Sequence, residues 1–338
     1  TFASEQLPTE LQTLIIVNKE FLADQWQEAI HKFVGYNHKS TAKVPVTIGR
    51  IQQDCVEVVG YDFVIAFVQS LSLREYDKSL FSGFRLTIVD ECHHLGSEVF
   101  SRCLSKVGSP YMLGLSATPR RRDGLVDVFF NHLGPLSHYE KRQGANQVMV
   151  KRIVISSRSQ SYQTLYLRTG TTDTGGMVTQ LSLSDLRNQL IYHILQLLCH
   201  QPRKILVLSD RRKHLEVIQD MIVKQPLFGQ SQKQISHGLY YGNQGQNKKV
   251  YKQMLKTSSN CDMILGTYDF ASEALDIPDL NTLVFLTSVT DVEQAVGRIL
   301  RKCHIKINPL IVDLVDQCGN FEKHSTMRNK LYRSENYH

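Results

Sequence analysis

Two adjacent carboxylates, Asp90 and Glu91, directly follow the apolar run Leu86-Thr87-Ile88-Val89. Such a run predicts a strand buried on both faces of a parallel sheet, where ligands bind beyond the carboxyl ends of the strands. Asp90 is suited to hold a nucleotide-bound Mg²⁺ through water, because Mg²⁺ prefers oxygen ligands and keeps its waters. Glu91 is suited to orient and deprotonate a water that attacks a phosphoryl group. The alternative is a strand end with two solvated acids, and the pair alone does not decide.

A second group of candidates follows the next apolar run, Tyr111 to Leu115. The hydroxyls of Ser116-Ala117-Thr118-Pro119 are expected at the same sheet edge as the two acids. By itself this string is also an ordinary strand-to-turn sequence. Because the string comes after the acidic strand end in the sequence, it is a candidate link between a nucleotide site and neighbouring loops.

The second half of the chain contains a basic helix face. Gln294, Arg298 and Arg301 are spaced i, i+4, i+7, which places them on one side of a helix. Two arginines on one face are either a solvated stripe or a clamp for the charge that develops in phosphoryl transfer. Gly266-Thr267 follows a strand-like run, and Asp276 lies near the end of the loop after it.

The elements that would position these residues alternate between strands and helices in two series. Such alternation predicts right-handed βαβ units and an α/β fold with two tandem, mainly parallel sheets flanked by helices. The predicted strands are 13–17, 43–48, 62–67, 86–89, 111–115, 148–155, 204–208, 261–265, 282–286 and 309–314. The predicted helices follow the first strand and lie near 97–106, 184–199, 212–223 and 292–300.

The 338 residues suggest two domains. The stretch 156–176 is rich in Ser, Thr, Gly and Gln, which predicts a loosely structured linker. We therefore expect one domain over 1–147 and a second over 148–338 that starts with this linker.

Composition limits the class of protein. An apolar fraction of 42% and a charged fraction of 21% are typical of a soluble globular chain, and a net charge of +7 favours a polyanionic partner. Seven scattered cysteines without a Cys-x-x-Cys pair argue against a disulfide framework and a zinc module, and for a reducing, intracellular compartment. No apolar run reaches the ~18 residues of a membrane span. Trp26 and its apolar neighbours are expected in the core.

Taken together, the motifs resemble those of the superfamily 2 helicases. Asp90-Glu91-Cys92-His93, Ser116-Ala117-Thr118 and Gln294-x-x-Gly297-Arg298-x-x-Arg301 resemble motifs II, III and VI. The segments 14–26, 208–211 and 266–278 resemble motifs Ia, IV and V. The strings Gly114 to Leu125 and Leu186-Arg187-Asn188 resemble the XPB-like branch, particularly its phage UvsW type and its poxvirus transcript-release type.

The resemblance implies two RecA-like domains that form an ATP-dependent helicase or translocase, with ATP and Mg²⁺ as cofactors. The expected substrate is DNA, single- or double-stranded, and RNA remains open because phosphate contacts alone do not read the sugar. Two alternatives are a double-stranded DNA translocase that releases transcripts or remodels complexes, and a non-catalytic nucleic-acid-binding module. We expect a viral monomer, in the host cytoplasm or nucleus or in the virion, with transcription or replication proteins as partners.

Individual roles carry over by position. Asp90 would hold Mg²⁺ through water, Glu91 would activate the attacking water, and His93 would couple the ATP state to Gln294. Ser116 and Thr118 would link hydrolysis to strand movement. Arg298 and Arg301 would contact the phosphates, and Asp276 and Gly266 would approach the nucleotide. The expected contacts with the nucleic-acid backbone are Asn18, Gln69, Ser70, Ser209 and Thr267.

Two departures from the family pattern stand out. Glu273-Ala274-Leu275-Asp276 has Ala where motif V usually has Gly, so this loop is expected to be less extended or less mobile. The sequence also contains no Gly-x-x-x-x-Gly-Lys-Ser/Thr loop, whose backbone amides and lysine hold the phosphates. We expect a truncated chain that starts at or just after that lysine and neither binds ATP tightly nor hydrolyses it.

Overall fold

The computed structural model describes residues 12–37, 44–92, 98–116, 126–138, 148–229, 232–242, 245, 247–268, 277, 279–300 and 307–338. Four predicted site residues, His93, Thr118, Asp276 and Arg301, lie outside these ranges. The chain divides into two compact units, 1–141 and 142–338. The domain limits expected from the sequence stay a prediction.

In the described part of the first unit, six strands form a sheet in the order β5-β4-β6-β1-β7-β8. Only the β4–β5 pairing is antiparallel among these neighbours. The central strand β1 is a run of fully buried aliphatic side chains, as expected for a strand covered on both faces. The strands are β1 (Gln12–Val17), β2 (Tyr36–Asn37), β3 (Val44–Pro45), β4 (Ile48–Gln52), β5 (Cys55–Val56), β6 (Phe63–Phe67), β7 (Phe84–Val89) and β8 (Tyr111–Gly114). β2 and β3 form a separate two-stranded pair.

Helices flank this sheet. The first buries Leu22, Ala23 and Ile30, spaced as one face of a helix, against the sheet. The described helices are α1 (Glu20–Phe33), α2 (Val68–Leu73), α3 (Glu98–Leu104) and α4 (Val126–Leu133). A short 3₁₀ turn covers Lys78–Phe81.

The second unit contains a six-stranded sheet, counted over its described residues, in the order β11-β12-β10-β13-β14-β9. All neighbouring strands in it are parallel. The strands are β9 (Met149–Ile155), β10 (Ile205–Ser209), β11 (His237–Tyr240), β12 (Met263–Thr267), β13 (Thr282–Phe285) and β14 (Leu310–Asp316). The helices are α5 (Thr174–Ser182), α6 (Asp185–Cys199), α7 (Arg212–Lys224), α8 (Lys248–Asn260), α9 (Glu293–Ile299) and α10 (Phe321–Ser334). The prediction of two mainly parallel sheets flanked by helices is confirmed.

The stretch expected to be a loose linker is instead ordered. It contains a 3₁₀ turn at Gln160–Tyr162, a β-bridge between Tyr166 and Thr172, and the start of α5. Although its composition is polar, the stretch contributes to a small apolar core, in which Tyr162 packs with Met177 of α5 and with other apolar side chains of this unit. The Tyr162 hydroxyl also donates a 2.9 Å hydrogen bond to the buried Asp316 carboxylate. The stretch is thus packed onto the second unit.

Two strands are displaced from their predicted positions. The segment predicted as the strand 43–48 contains β3, which lies outside the main sheet, and the sheet strand β4 begins only at Ile48. β12 covers Met263–Thr267 rather than 261–265, so Gly266 and Thr267 lie within the strand and not after it. The two-residue shift places Cys261 before the strand, where it follows the end of α8. Among the described residues, no helix has the length and apolar character to cross a bilayer.

Candidate nucleotide and nucleic-acid sites

Four predicted site residues of the first unit emerge at one edge of its sheet. β6, β1, β7 and β8 are parallel neighbours, and from Thr13 onwards β1 pairs in regular register with β6 and β7, so the carboxyl ends of the strands lie side by side. Asn18 follows β1, Gln69 follows β6, Asp90 follows β7, and Ser116 lies two residues after β8. This is the edge at which parallel sheets bind ligands.

Asp90 is oriented from two sides. Its backbone amide donates to the Ile16 carbonyl of the neighbouring strand at 3.0 Å. Its Oδ1 accepts a 2.9 Å hydrogen bond from the Glu91 amide, and its Oδ2 accepts one of 2.9 Å from the indole Nε1 of Trp26 on α1. Trp26 also packs against the apolar cluster of its helix, as the sequence predicts. The sequence shows only that tryptophan carries a donor and aspartate an acceptor, and it does not predict that Trp26 and Asp90 form a hydrogen bond.

Glu91 has a backbone conformation that is uncommon for a residue with a side chain. Its φ is +48°, in the left-handed region. The surrounding backbone holds it there, because the Cys92 amide donates to the Leu115 carbonyl and the Leu115 amide donates to the Val89 carbonyl, both at 2.9 Å. Conformations of this kind persist where neighbouring structure fixes them, often at functional sites.

Cys92 directly follows the two acids, and its side chain is buried. Burial, and then the negative charge of Glu91, raise the pKa of its thiol to about 11, so it is protonated near neutral pH. A Cβ on Gly114 would lie 3.1 Å from Cys92 Sγ and 2.6 Å from a Leu133 methyl carbon. Glycine at this position therefore leaves room for the Leu133 and Cys92 side chains at the end of β8.

The candidate nucleic-acid contacts of the first unit differ in availability. Gln69 is exposed, and its Nε2 donates a 3.0 Å hydrogen bond to the Asn18 carbonyl. The Asn18 Oδ1 is buried and has no hydrogen-bond partner among the described residues. Ser70, in contrast, is 7% exposed, and its hydroxyl accepts a 3.0 Å hydrogen bond from the Gln53 amide. The Ser70 hydroxyl thus has an internal partner.

In the second unit, Ser209 and Thr267 are register partners at the carboxyl ends of β10 and β12. Thr267 is partly exposed, whereas Ser209 is fully buried. The Ser209 hydroxyl lies 3.0 Å from His214 Nδ1, and His214 Nε2 lies 3.0 Å from Asn188 Oδ1. Burial, and then the positive charge of Arg187, lower the pKa of His214 to about 3, so this imidazole is neutral. Ser209 is therefore part of an internal network.

Two residues of the predicted basic helix face, Gln294 and Arg298, lie on α9, and the third, Arg301, lies outside the described residues. Gln294 and Arg298 are four residues apart and partly exposed, while Ala295, Val296 and Ile299 are buried beneath them. The structure thus places Gln294 and Arg298 in the second unit, and Asp90, Glu91 and Ser116 in the first.

Two family models match the chain. The model described as type III restriction enzyme, res subunit, matches residues 2–121. The model described as helicase conserved C-terminal domain matches residues 187–303.

Similar proteins come from large DNA viruses and from an archaeon. A putative ATP-dependent RNA helicase of Acanthamoeba polyphaga mimivirus is 33% identical over 97% of this chain and 60% of its own length. A putative helicase of Invertebrate iridescent virus 6 is 28% identical over 96% of this chain and 71% of its own length. A DNA 3'-5' translocase, XPB2, of Sulfurisphaera tokodaii is 33% identical over 38% of this chain and 26% of its own length.

Among solved structures, S. cerevisiae Dbp5 bound to RNA and ADP BeF3 shares the fold. Its TM-score is 0.60 at 11% identity, over 96% of this chain and 75% of that chain. The chain spans 60% of the length of the mimivirus relative, and the two family models match separate segments of the chain in tandem. The chain is thus similar to helicases of large DNA viruses, and its motifs resemble those of the superfamily 2 helicases in the same order along the sequence.

Proposed function

We propose that this chain is the motor core of an ATP-dependent helicase or translocase that moves along DNA. The observation that carries the proposal is the strand end at Asp90 and Glu91, where Trp26 and a backbone amide orient one carboxylate and a left-handed residue presents the other. Residues 1–147 would be the ATP-binding domain, and residues 148–338 the C-terminal helicase domain.

The donor chemistry of this edge suits a magnesium–nucleotide complex. Both acidic side chains are partly exposed oxygen donors at the carboxyl end of a parallel strand. Bound Mg²⁺ would neutralise charge on the phosphates of ATP. Asp90 would hold the ion through water, and Glu91 would orient a water and accept its proton.

The remaining roles follow the family resemblance. His93 would couple the nucleotide state to Gln294, and Ser116 and Thr118 would link hydrolysis to movement. The other nucleotide contacts in the proposal are Arg298, Arg301, Asp276 and Gly266. Arg298 is supported by its partly exposed position on α9, four residues from Gln294.

The nucleic-acid path would run over the strand edges at Asn18, Gln69 and Thr267, and past the backbone at Ser70 and Ser209, whose hydroxyls are bonded internally. Gln69 and Asn18 support this path, because they meet at the edge through a 3.0 Å hydrogen bond. Contacts from amides and hydroxyls to phosphates are independent of base sequence. We expect binding to weaken with salt to the extent that cationic side chains also neutralise phosphates.

DNA is the proposed substrate, and double-stranded DNA translocation without strand separation is the second candidate. The similarity to a protein named as a DNA translocase supports both, over 129 residues. The mimivirus relative is named as an RNA helicase, which makes RNA the competing substrate. The proposed motor would act as a monomer inside infected cells, together with transcription or replication proteins.

The 338-residue chain by itself is proposed to be inactive in ATP hydrolysis, because it contains no Gly-x-x-x-x-Gly-Lys-Ser/Thr loop. The test compares the chain with a longer form that carries whatever residues its gene encodes before Thr1. Phosphate release is measured with single-stranded DNA, duplex DNA and RNA. We expect release only from a longer form with that loop, and stimulation by DNA. Robust release from the 338 residues, or stimulation by RNA alone, would contradict the respective part of the proposal.

Strand displacement and triplex displacement then separate the two candidates. A helicase displaces a strand of a duplex, whereas a pure double-stranded DNA translocase displaces only the third strand of a triplex. Asp90→Asn in the same longer form is the matched control, and it should abolish either activity. Binding of DNA without hydrolysis in every form would favour the non-catalytic module instead.

A further inference from the structure

The segment Leu286–Val289 joins β13 to α9, the helix that carries Gln294 and Arg298. Side chains from three separate elements donate hydrogen bonds to its carbonyls. Arg187 of α6 donates to the Leu286 carbonyl, the Tyr268 hydroxyl donates to the Thr287 carbonyl at 2.7 Å, and Arg328 of α10 donates to the Val289 carbonyl. We call the residues Leu286–Val289 the entry segment.

Two further bonds hold the side chains of the entry segment. The Asp210 amide, just after β10, donates to the Thr287 hydroxyl at 2.8 Å. The Ser288 hydroxyl lies 3.0 Å from Nδ1 of His324 on α10. Burial, and then the positive charge of Arg328, lower the pKa of His324, so the imidazole is neutral at neutral pH. Every residue of the segment is therefore bonded to a distant part of the second unit.

The two arginines are themselves fixed. Arg187 forms two 2.8 Å hydrogen bonds with the Asp316 carboxylate, and Arg328 forms bonds of 2.7 to 3.1 Å with Asp313. The side chains of both pairs are at most 1% exposed. Because buried ion pairs add little net stability over apolar residues, a role in positioning is a physical reason for keeping them.

Helix α9 follows the entry segment in the chain. It has only seven residues, and Val292 provides no side-chain cap at its start. A helix this short is unstable alone and adopts its position through packing and through the chain that leads into it. The entry segment is that chain, and α10 supplies two of its five side-chain bonds.

We propose that His324 and Arg328 of α10 are positioning residues that set where α9 presents Gln294 and Arg298. The C-terminal helix would then belong to the motor machinery. The catalytic consequence rests on the proposed function, whereas the mechanical link between α10 and α9 does not.

The first test measures backbone amide hydrogen exchange in the 338-residue chain. His324→Ala and Ser288→Ala each remove the same bond, so exchange over residues 290–299 should accelerate about fivefold in either variant. The double variant should show no further acceleration, because the two side chains act as one pair. His324→Asn, whose amide nitrogen can occupy the place of Nδ1, should restore slow exchange. Thr326→Ala, exposed on the same helix, should change nothing.

Exchange over 290–299 that stays at the wild-type rate in both single variants would overturn the link. Equal acceleration throughout the second unit would overturn it as well, since that result indicates a general loss of stability. His324 is partly exposed, so its replacement leaves the buried pair Arg328–Asp313 in place.

The second test uses a form of the protein that hydrolyses ATP. His324→Ala should lower kcat severalfold, because it displaces Gln294 and Arg298 from the reacting phosphates, whereas Thr326→Ala should leave kcat unchanged. An unchanged kcat in His324→Ala would refute the catalytic consequence. If no form hydrolyses ATP, the proposed function fails, while the exchange result still decides the link between α10 and α9.

Discussion

Acidic side chains occur at the carboxyl-terminal part of a parallel strand in both units, but their surroundings differ. Asp90 and Glu91 follow β7 and are partly exposed. Asp313 and Asp316 lie in the second half of β14, at most 2% exposed, and each is paired with a buried arginine. Acidic residues of parallel strands therefore have two kinds of surroundings in this chain. In the first unit the carboxylates lie at the carboxyl edge of the sheet, and in the second they bind arginines of α6 and α10.

The largest expected effect comes from breaking a buried pair of the second unit. Arg328→Met leaves the Asp313 carboxylate buried without its partner, so the free energy of unfolding should fall by about 3–5 kcal/mol. Urea denaturation measures the change. Combining Arg328→Met with Asp313→Leu should recover most of it. Arg74→Met, which removes an exposed ion pair with Asp54, should change stability by less than about 1 kcal/mol. Equal losses in the two single variants would contradict the comparison.

The second unit should also lose stability in acid through His214. Burial lowers the pKa of this side chain to about 3, so the folded state excludes a proton that the unfolded chain binds below its ordinary pKa of 6.5. The His214 contribution is therefore fully present above pH 6.5 and is lost as the pH falls, at about 1.4 kcal/mol per pH unit, down to about pH 3.

Urea denaturation of wild type and His214→Gln between pH 7 and pH 4 tests this dependence. The variant should be less stable at pH 7 and should show a shallower loss of stability with acid. His31→Gln, on the exposed face of α1, should leave the wild-type slope unchanged. Parallel slopes for wild type and His214→Gln would show that His214 does not carry the effect.

The difference between exposed and buried acidic residues also explains which features could be predicted from the sequence. The strand β7 and its two acids were predictable, because an apolar run followed by carboxylates is a pattern of residue types along the chain. Helix α10 was missed. Its buried residues, Phe321, Ser325, Arg328 and Tyr332, have helical spacing, but two of them are polar and do not register as an apolar face. Polar burial depends on partners that are distant in sequence.

Other differences have related causes. The stretch 156–176 appeared loose because its few apolar residues find their partners across the second unit, where Tyr162 packs near Phe321. The hydroxyls of Ser70 and Ser209 matched the expected positions for nucleic-acid contacts, yet each has an internal hydrogen-bond partner. Spacing along the sequence predicts that a residue lies at a sheet edge, but it does not predict which group its hydroxyl binds.

A smaller effect is expected at the first unit's strand end. Trp26→Phe removes the 2.9 Å hydrogen bond to Asp90 and keeps an aromatic ring, so stability should fall by about 1 kcal/mol. Trp26 is the single tryptophan of the chain, which makes its fluorescence a direct report on this contact. Asp90→Asn should shift its emission, whereas Asp24→Asn on the same helix should shift it less. Equal shifts would show that Asp90 is not the partner of the indole.

An effect of similar size is expected from the backbone of Glu91. At φ +48° a side chain is disfavoured and glycine is not. Glu91→Gly should therefore be more stable than Glu91→Ala by about 1 kcal/mol, although both lose the same carboxylate. Thermal unfolding of the two variants measures the difference. An alanine variant as stable as the glycine variant would mean that the left-handed conformation is not retained in solution.

Nucleic-acid-stimulated phosphate release tests most directly whether Glu91 activates water at an ATP site. The measurement compares wild type with Glu91→Gln in a form of the protein that hydrolyses ATP, together with ATP binding by each. Glutamine keeps the size of the side chain and cannot accept the proton, so kcat should fall by at least about 100-fold while ATP still binds. A variant that retains kcat within a few-fold of wild type would contradict the assignment of this strand end as the catalytic centre.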